Sequence, residues 1–163
     1  MINVNQTNNG VIEKYCYNDS IANCDEYGGL YQWAEMMQYV TDTAIQGICP
    51  AGWHLPTDGE WTILTNHLGG ENVAGGKMKE MGTTHWDPPN TAATNESVFT
   101  ALPGGYNSAP SHSAFLGSRA SFWSSSLCSY FNAWSREMYH DGGYVFRKSC
   151  SRQEGLSVRC LKD

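Results

Sequence analysis

The most informative stretch of the chain is Gly47-Ile-Cys-Pro-Ala-Gly-Trp-His-Leu-Pro-Thr-Asp-Gly-Glu-Trp61. Within it, Thr57 is followed three residues later by Glu60, which is the spacing of a capping box. In that motif the hydroxyl and the carboxylate each accept a hydrogen bond from a backbone N–H that the first helical turn leaves free. The stretch therefore predicts that a helix begins directly after Thr57.

His54 lies in the same stretch, directly before Leu55-Pro56, where the backbone is expected to be extended. A histidine that binds a metal needs further ligands, and no second histidine or carboxylate stands at a suitable short spacing. We therefore predict that His54 is a packed structural histidine rather than a metal ligand.

Two segments carry apolar residues at the three- and four-residue steps of an amphipathic helix. The first is 30–40. The second follows Thr57, and its buried face is predicted to consist of Trp61, Leu64 and Leu68. Gly69-Gly70 ends this second helix. Residues 75–80 are predicted to form one short turn or helix, and most of 71–118 is predicted to be loop.

From Ala120 onward the pattern changes to the period of two that strands show. Strands are predicted at 121–126, 133–139, 144–148 and 155–160. The turn between the second and third is His140-Asp-Gly-Gly143, because tight turns use glycine at positive φ. Alternation in the second strand places Trp134, Arg136 and Met138 on one face and Ser135, Glu137 and Tyr139 on the other. In the third strand Val145 and Arg147 alternate with Tyr144, Phe146 and Lys148.

The charge of the chain excludes one class of function. Its 163 residues include 10 Lys and Arg against 16 Asp and Glu, and the basic residues form no cluster. A nucleic-acid binder needs a basic stripe that displaces counterions from phosphates, so we exclude that class. No apolar run approaches the ~20 residues that a membrane-spanning helix requires, so we expect no membrane insertion by this chain.

The chain contains six cysteines, at Cys16, Cys24, Cys49, Cys128, Cys150 and Cys160. No Cys-x-x-Cys pair occurs, which disfavours zinc-ribbon and thioredoxin-type sites. The even number favours disulfides and an oxidising compartment, with a cytosolic protein carrying buried thiols as the alternative. Cys16 and Cys24 are close enough in sequence for a local bridge. Residues 1–15 show no export signal, so we expect the chain to be a piece of a longer exported protein.

Several motifs resemble the Fibrobacter succinogenes major paralogous domain. They are Tyr15-Cys-Tyr17, Gly29-Leu-Tyr-Gln-Trp33, the quoted stretch as far as Thr57, Glu60-Trp61, Gly104-Gly-Tyr106, Phe122-Trp-Ser-Ser125 and Ser157-Val-Arg-Cys160. Residues 55–61 and 155–160 are also similar to the formylglycine-generating-enzyme group, a branch of the C-type-lectin-like fold. The resemblance implies an α+β, C-type-lectin-like fold, with two helices on a small twisted antiparallel sheet and long loops. It also implies an extracellular or cell-surface bacterial protein.

The resemblance covers nearly the whole chain, and we place a lead-in at 1–14 and a single domain at 15–163. Members of the family usually begin with a further segment, which again predicts a longer native protein. For the cysteines, the resemblance implies a bridge between Cys49 and Cys160. We favour a third bridge between Cys128 and Cys150, with two free thiols as the alternative.

No catalytic or metal site is predicted. Catalytic formylglycine-generating enzymes hold copper with two closely spaced cysteines, and no such pair occurs near the end of this chain. The five histidines never approach the spacing of a nucleophile–base pair. Asp87-Pro-Pro-Asn90 superficially resembles a calcium loop, and Asn95-Glu96 adds oxygens, but calcium takes six to eight oxygen ligands. We predict no enzyme and no cofactor, with a carbohydrate-binding lectin or an oxidase relative as alternatives.

Domains of this kind also resemble the targets of diversity-generating retroelements, in which fixed framework residues alternate with diversified ones. The resemblance implies a candidate variable region at 123–153. Its predicted framework is Trp123-Ser-Ser125, Ala133-Trp134, Arg136, Val145 and Arg147, followed by 155–160.

The other side chains of this region are predicted to form a ligand-binding surface. Many large aromatic groups on one sheet face are unfavourable unless something covers them, and Tyr and Phe supply rigid contact area. The predicted ligand-binding residues are Leu127, Cys128, Ser129, Tyr130, Phe131, Ser135, Glu137, Tyr139, His140, Asp141, Tyr144, Phe146, Ser149 and Ser151. The alternative is that these side chains pack on one another or on the loop at 106–118. We therefore predict a non-catalytic, receptor-like binding domain of a bacterial surface protein, whose ligand is a protein or a glycan.

Overall fold

The computed structural model describes residues 6–42, 45–108 and 112–163. Within these residues a 3-10 turn at Tyr17–Asp19 precedes four α-helices: α1 Ile21–Tyr27, α2 Trp33–Met36, α3 Asp58–His67 and α4 Glu71–Met78. The strands are β1 Trp53–His54, β2 Tyr106–Ser108, β3 His112–Ala114, β4 Arg119–Leu127, β5 Asn132–Tyr139, β6 Phe146–Ser151 and β7 Leu161–Lys162. The predicted α+β class is confirmed, with more helices than the two expected.

The strands pair antiparallel in three small sheets. β1 pairs with β7, β2 pairs with β3, and the largest sheet has the order β4-β5-β6. No helix in the described ranges is long and apolar enough to cross a membrane.

Helix α3 begins where the capping box predicts. The Thr57 hydroxyl accepts a hydrogen bond from the Glu60 N–H at 3.2 Å, and the Glu60 carboxylate accepts one from the Thr57 N–H at 2.8 Å. Trp61 is buried on this helix, and its indole N–H donates to the Trp123 carbonyl at 3.2 Å. The cap and the buried face therefore fix α3 against the largest sheet.

The helix predicted at 30–40 is much shorter than expected. Only Trp33–Met36 is α-helical, and Gln38 and Tyr39 have φ of 51° and 60°. In a continuing helix the Met36 carbonyl would accept a hydrogen bond from the Val40 N–H. Here it accepts one from the Ile48 N–H instead, at 3.0 Å. Packing of the 45–49 segment on this helix end thus stops it early.

Three of the four predicted strands are present, the third shifted from 144–148 to Phe146–Ser151, and the fourth, at 155–160, is wrong. Gly155, Leu156 and Ser157 form single bridges to Asn107, Tyr31 and Phe122, respectively, rather than a ladder with one strand. Because consecutive residues bond different neighbours, no regular strand forms until Leu161–Lys162 pairs with β1.

Both faces of the central strand β5 are covered. On the side of α3 and α4, Met138 packs with Trp61, Met78 and Phe122. On the other side, Ala133 packs with a second cluster that includes Trp33, Met36, Trp123 and Leu156. The predicted alternation along β5 is confirmed, but it separates two buried faces over most of the strand.

The turn between β5 and β6 packs directly on α4. The Gly76 N–H donates to the Gly143 carbonyl at 2.9 Å, and a Cβ on Gly75 would lie 1.9 Å from the Tyr144 oxygen. Gly142 and Gly143 do not adopt the positive φ that we expected of them. Instead, a Cβ on Gly142 would lie 2.5 Å from the Tyr144 ring, so a larger residue there would require this exposed ring to move.

Part of the predicted lead-in packs on the domain. Glu13 is buried, its N–H donates to the Glu35 carboxylate at 2.8 Å, and its own carboxylate accepts from the Thr7 N–H at 2.7 Å. Gln6 is buried as well, and its side-chain amide bonds the Leu30 carbonyl.

Two of the three predicted disulfides are confirmed, Cys16–Cys24 and Cys49–Cys160. The favoured third bridge is wrong, since Cys128 and Cys150 are both free thiols. Cys128 Sγ contacts Ser149 Oγ at 3.0 Å, whereas Cys150 Sγ contacts Ser135 Oγ at 3.2 Å. Neighbouring residues of a strand point to opposite faces, so the two sulfurs lie on opposite sides of β6. Two disulfides are typical of proteins from an oxidising compartment.

Candidate ligand-binding surface

The predicted ligand-binding residues fall into two groups at opposite ends of the β4-β5-β6 sheet. The hairpin tip joining β4 to β5 carries Leu127, Cys128, Ser129, Tyr130 and Phe131, with Ser149 and Ser151 beside it on β6. The other end carries Tyr139, His140, Asp141, Tyr144 and Phe146. The two ends of β5 lie roughly 23 Å apart at ~3.3 Å per residue, but Phe146 and Ser149 are only three residues apart on β6, or about 10 Å. The structure therefore places the predicted residues at two ends of the sheet, and the two groups approach each other along β6.

Ser135 and Glu137 lie between these groups, and the expectation that they face solvent is wrong. They are 0% and 3% exposed. The Glu137 carboxylate accepts hydrogen bonds from Arg119 and, at 2.6 Å, from the Tyr139 hydroxyl. These residues support the surface from beneath and do not form part of it.

The buried thiol of Cys150 belongs to the same supporting layer. Its sulfur lies 3.5 Å from the Glu137 carboxylate. Burial raises the pKa of Cys150 to about 12, so the group stays a neutral thiol at physiological pH. A neutral thiol is a poor nucleophile and a poor metal ligand.

A continuous row of contacting rings and one guanidinium crosses the end of the sheet near the β5–β6 turn. Ring centroids of Tyr144 and Phe146, and of Phe146 and Tyr139, are each 5.7 Å apart. The Arg119 guanidinium lies 5.8 Å from the Tyr139 ring and 4.5 Å from the Tyr106 ring. The Tyr106 ring in turn stacks on Phe115 at 5.9 Å. We call these residues the aromatic strip: Tyr106, Phe115, Arg119, Tyr139, Tyr144 and Phe146.

The aromatic strip is open to solvent at both of its ends. Phe115, Tyr144 and Phe146 are 52%, 49% and 40% exposed, respectively. Tyr139 and Arg119, in the middle, are tied to the buried Glu137 carboxylate. Burial, followed by the hydrogen bond to Glu137, raises the pKa of Tyr139, so this hydroxyl keeps its proton. The strip thus combines exposed rings with a hydrogen-bonded, rigid centre.

Sequence reasoning missed three members of the strip: Tyr106, Phe115 and Arg119. The only signal for them was the alternative that the surface residues contact 106–118. Tyr106 and Phe115 join the predicted residues only through Arg119, whose guanidinium lies against both the Tyr106 and the Tyr139 rings, and Tyr144 and Phe146 stay exposed.

The hairpin tip is a separate, smaller apolar surface. Tyr130 and Phe131 are 80% and 75% exposed and contact each other edge-to-face, with centroids 4.8 Å apart. The Arg152 guanidinium stabilises the tip by donating a hydrogen bond to the Tyr130 carbonyl at 3.2 Å. No ring contact joins the tip to the aromatic strip among the described residues.

The predicted framework arginines lie on the helix side of the sheet. Arg136 is 2% exposed, and it shares the carboxylate of Asp58 with Arg147 at 2.8 and 2.9 Å. Although burial acts in the opposite direction, hydrogen bonds from Arg147 and Arg136 lower the pKa of Asp58. The Arg147 guanidinium also lies 3.2 Å from the centroid of the Trp134 ring. These contacts fix β5 and β6 to the start of α3.

His54 has two carboxylate partners, which the sequence analysis did not anticipate. Its ring nitrogens lie 2.6 Å from Asp163 Oδ1 and 2.9 Å from Glu60 Oε1. Within the described parts of the chain no three His, Cys, Asp or Glu side chains are grouped so as to hold a metal ion. His54 therefore links the α3 cap to the end of the chain in an ion-pair cluster.

We expect the contribution of His54 to stability to depend on pH. Hydrogen bonds to Asp163 and Glu60 raise its pKa above the ordinary 6.5. Stabilisation by the imidazolium is then fully present below pH 6.5 and is lost as the pH rises through the raised value. His54→Gln should lower the free energy of unfolding more at about pH 5.5 than at about pH 8.5 in urea titrations. His112→Gln, an exposed histidine without a carboxylate partner in the described residues, is the control; an equal pH dependence in both variants would contradict the prediction.

The residues of the possible calcium loop are engaged elsewhere. Asn95 accepts from the Thr100 N–H at 2.8 Å and donates to the Thr100 hydroxyl at 2.9 Å. Glu96 forms an ion pair with Lys77 at 3.4 Å. Their oxygens therefore do not converge with Asp87 on a common site.

Two open clefts lie elsewhere on the surface. Their volumes are about 310 and 630 Å³, and they share the residues Val98, Phe99, Arg159 and Cys160. None of the predicted ligand-binding residues lines either cleft.

Comparison with known proteins gives one match, to the model of a domain family. No curated protein and no solved structure matches this chain. The model of the Fibrobacter succinogenes major domain (Fib_succ_major) matches residues 2–162. The match spans almost the full sequence, and the chain therefore belongs to the Fibrobacter succinogenes major domain family.

Proposed function

We propose that this chain is a non-catalytic ligand-binding domain and that the aromatic strip is its binding surface. The observation that carries the proposal is the exposure of Phe115, Tyr144 and Phe146 in one continuous row of rings. Exposed apolar patches of this kind are typical of interaction sites. The rings lose little side-chain entropy on binding, and the guanidinium of Arg119 adds a polar group. The ligand is a protein or a glycan.

The proposal extends to the origin of the surface. In this view the domain is a C-type-lectin-like domain of a bacterial surface protein, diversified in 123–153. The burial pattern supports the extension, because the predicted framework residues Trp123, Ala133, Arg136 and Val145 are at most 2% exposed. Eight of the fourteen predicted ligand-binding residues are exposed, so substitution at those eight leaves the core unchanged, whereas the buried Ser135 and Glu137 do not fit this pattern.

Genomic sequencing tests the diversification. We expect a reverse-transcriptase gene near the coding sequence, together with a second copy of the 123–153 region that differs from it only at adenines. A neighbourhood with neither element would contradict this part of the proposal and leave the binding function to be tested separately.

The binding surface is tested by the double variant Tyr144→Ser/Phe146→Ser. Tyr139 is kept, because its hydroxyl bonds the buried Glu137. Wild type and variant are each probed with a glycan array and with a displayed library of random peptides. Ligands selected on the wild type should bind the variant at least about tenfold more weakly, since central aromatic groups dominate interface energies.

The control is Ile63→Ser/Val98→Ser, which removes two apolar groups that are 70% and 81% exposed and lie outside the strip. Thermal unfolding of both double variants serves as the check that each of them folds. Equal ligand binding by the strip variant and the wild type would refute the proposed surface.

A further inference from the structure

Strand β6 forms an open edge of the largest sheet. The sheet order is β4-β5-β6, so among the described residues β6 has a neighbouring strand on one side only. The opposite edge, at β4, is partly covered by the bonds that join Ser157 to Ser121 and Trp123. Phe146, Arg147, Lys148 and Ser149 are all exposed along the β6 edge.

The hydrogen-bond register identifies the backbone groups that this edge presents. The Arg152 N–H donates to the Phe131 carbonyl at 3.0 Å, and the same register pairs Cys150 with Ala133 and Lys148 with Ser135. In an antiparallel ladder, alternate residues bond the neighbour, and those between them point their N–H and C=O away. Arg147 and Ser149 therefore direct their backbone groups outward, and in the described residues no other backbone group bonds them.

The edge is basic although the chain is acidic. Strand β6 contains two of the ten Lys and Arg residues, Arg147 and Lys148, and no acid, whereas the whole chain has a net charge of −6. Lys148 has no carboxylate within ion-pair distance in the described part of the chain. Arg147 shares the single carboxylate of Asp58 with Arg136, so that cluster keeps a positive charge.

We propose that the β6 edge binds an extended acidic segment of a partner protein as a fourth strand of the sheet. Backbone hydrogen bonds to Arg147 and Ser149 would align the segment, as in other cases where a peptide adds to a sheet edge. Alternate side chains of an added strand share one face, so its carboxylates would lie beside Lys148, and opposite charges on neighbouring strands stabilise the pairing. A second copy of this chain is disfavoured, because pairing two β6 edges would bring these cations together.

This inference does not rest on the aromatic strip. It uses the backbone and cationic groups of β6. Phe146 belongs to both surfaces, and the Lys148 ammonium lies 5.6 Å from its ring, so variants at Tyr144 and at Lys148 are needed to separate the two proposals. The Tyr144→Ser variant, which shortens a strip residue outside β6, should leave acidic-peptide binding unchanged.

The test measures binding of a fluorescent heptapeptide that alternates glutamate and valine. Two matched peptides accompany it: one with lysine in place of every glutamate, and one N-methylated at two adjacent central residues, which removes a donor from each edge. We expect the acidic peptide to bind and both matched peptides to fail. Binding should weaken as salt is added, because the charges are exposed.

Protein variants assign the binding to β6. Lys148→Glu should weaken it at least about tenfold, whereas Lys162→Glu, at an exposed lysine on β7, should change it less than about twofold. Ser149→Pro removes one outward N–H, which an edge strand tolerates, and should abolish binding. No binding of the acidic peptide, equal binding of the N-methylated peptide, or self-association of the free protein that Lys148→Glu abolishes would each overturn the proposal.

Discussion

Replacing Cys49 and Cys160 together with alanine is expected to lower the free energy of unfolding by about 5 kcal/mol. The disulfide closes a loop across a sequence separation of 111 residues, and the entropy that a bridge removes from the unfolded chain grows with loop length. Small domains are stable by only ~5–15 kcal/mol in total. The variant should therefore be largely unfolded at physiological temperature, as measured by urea titration followed by circular dichroism.

The Cys16–Cys24 bridge is the matched comparison, since it spans only 8 positions. The same entropic relation gives about 2.5 kcal/mol for its removal, so the two double variants should differ by about 2 kcal/mol. Equal losses would mean that loop entropy does not explain the stabilisation. A smaller loss for Cys49 and Cys160 would mean that packing around Cys49, which is 3% exposed, fixes 45–55 without the bridge.

The disulfides illustrate how far sequence reasoning reaches. The short spacing of Cys16 and Cys24 favoured a local bridge, but nothing in the spacing of Cys49 and Cys160 indicates that they meet. That pairing followed from family resemblance. The third bridge failed on a detail of strand geometry: Cys128 contacts Ser149, and Cys150, one residue further, points to the other face.

Strand periodicity predicted which side chains share a face but not what covers each face. Along β5 it correctly separated Arg136 and Met138 from Ser135 and Glu137. It placed Glu137 and Tyr139 on one face but gave no sign that Glu137 lies beneath Arg119, because that contact depends on the register with β4. Strand direction and pairing come from tertiary structure, and an isolated alternating pattern contains neither.

Sequence reasoning predicted three of the six residues of the aromatic strip, because local alternation does not show which distant segments meet. Tyr139, Tyr144 and Phe146 belong to one hairpin, and local alternation groups them. Tyr106 lies on β2 and Phe115 directly follows β3, and only the folded chain places the Tyr106 ring beside Arg119 with Phe115 stacked on it. Surfaces built from one hairpin are thus accessible to sequence reasoning, whereas surfaces assembled from distant segments are not.

The second large effect is expected at Lys79, which is 0% exposed. Its ammonium group donates hydrogen bonds to the carbonyls of Thr91, Tyr139 and Gly142 at 3.0, 2.9 and 2.9 Å. It thereby ties the β5–β6 turn to the loop that follows α4. Lys79→Met keeps most of the side-chain volume but leaves three carbonyls without this donor. An unsatisfied buried group costs ~1–3 kcal/mol, so we expect a loss of about 3 kcal/mol in the free energy of unfolding.

Lys77→Met is the matched control, because Lys77 is 36% exposed and its ion pair with Glu96 is a surface contact. Such pairs contribute ~0–1 kcal/mol, so this variant should unfold at nearly the wild-type urea concentration. The sequence neighbours of Lys77 and Lys79 do not show which of the two is buried. Only Lys79 bonds the β5–β6 turn, which carries Tyr144. If Lys79→Met is no less stable than Lys77→Met, the three carbonyls find other hydrogen-bond donors. The position of the turn then depends on the close packing of Gly75 and Gly76 on Gly143 and Tyr144. If Lys79→Met is less stable by the expected amount, amide hydrogen exchange should show the loss first at 139–145 and around Thr91, where those carbonyls lie.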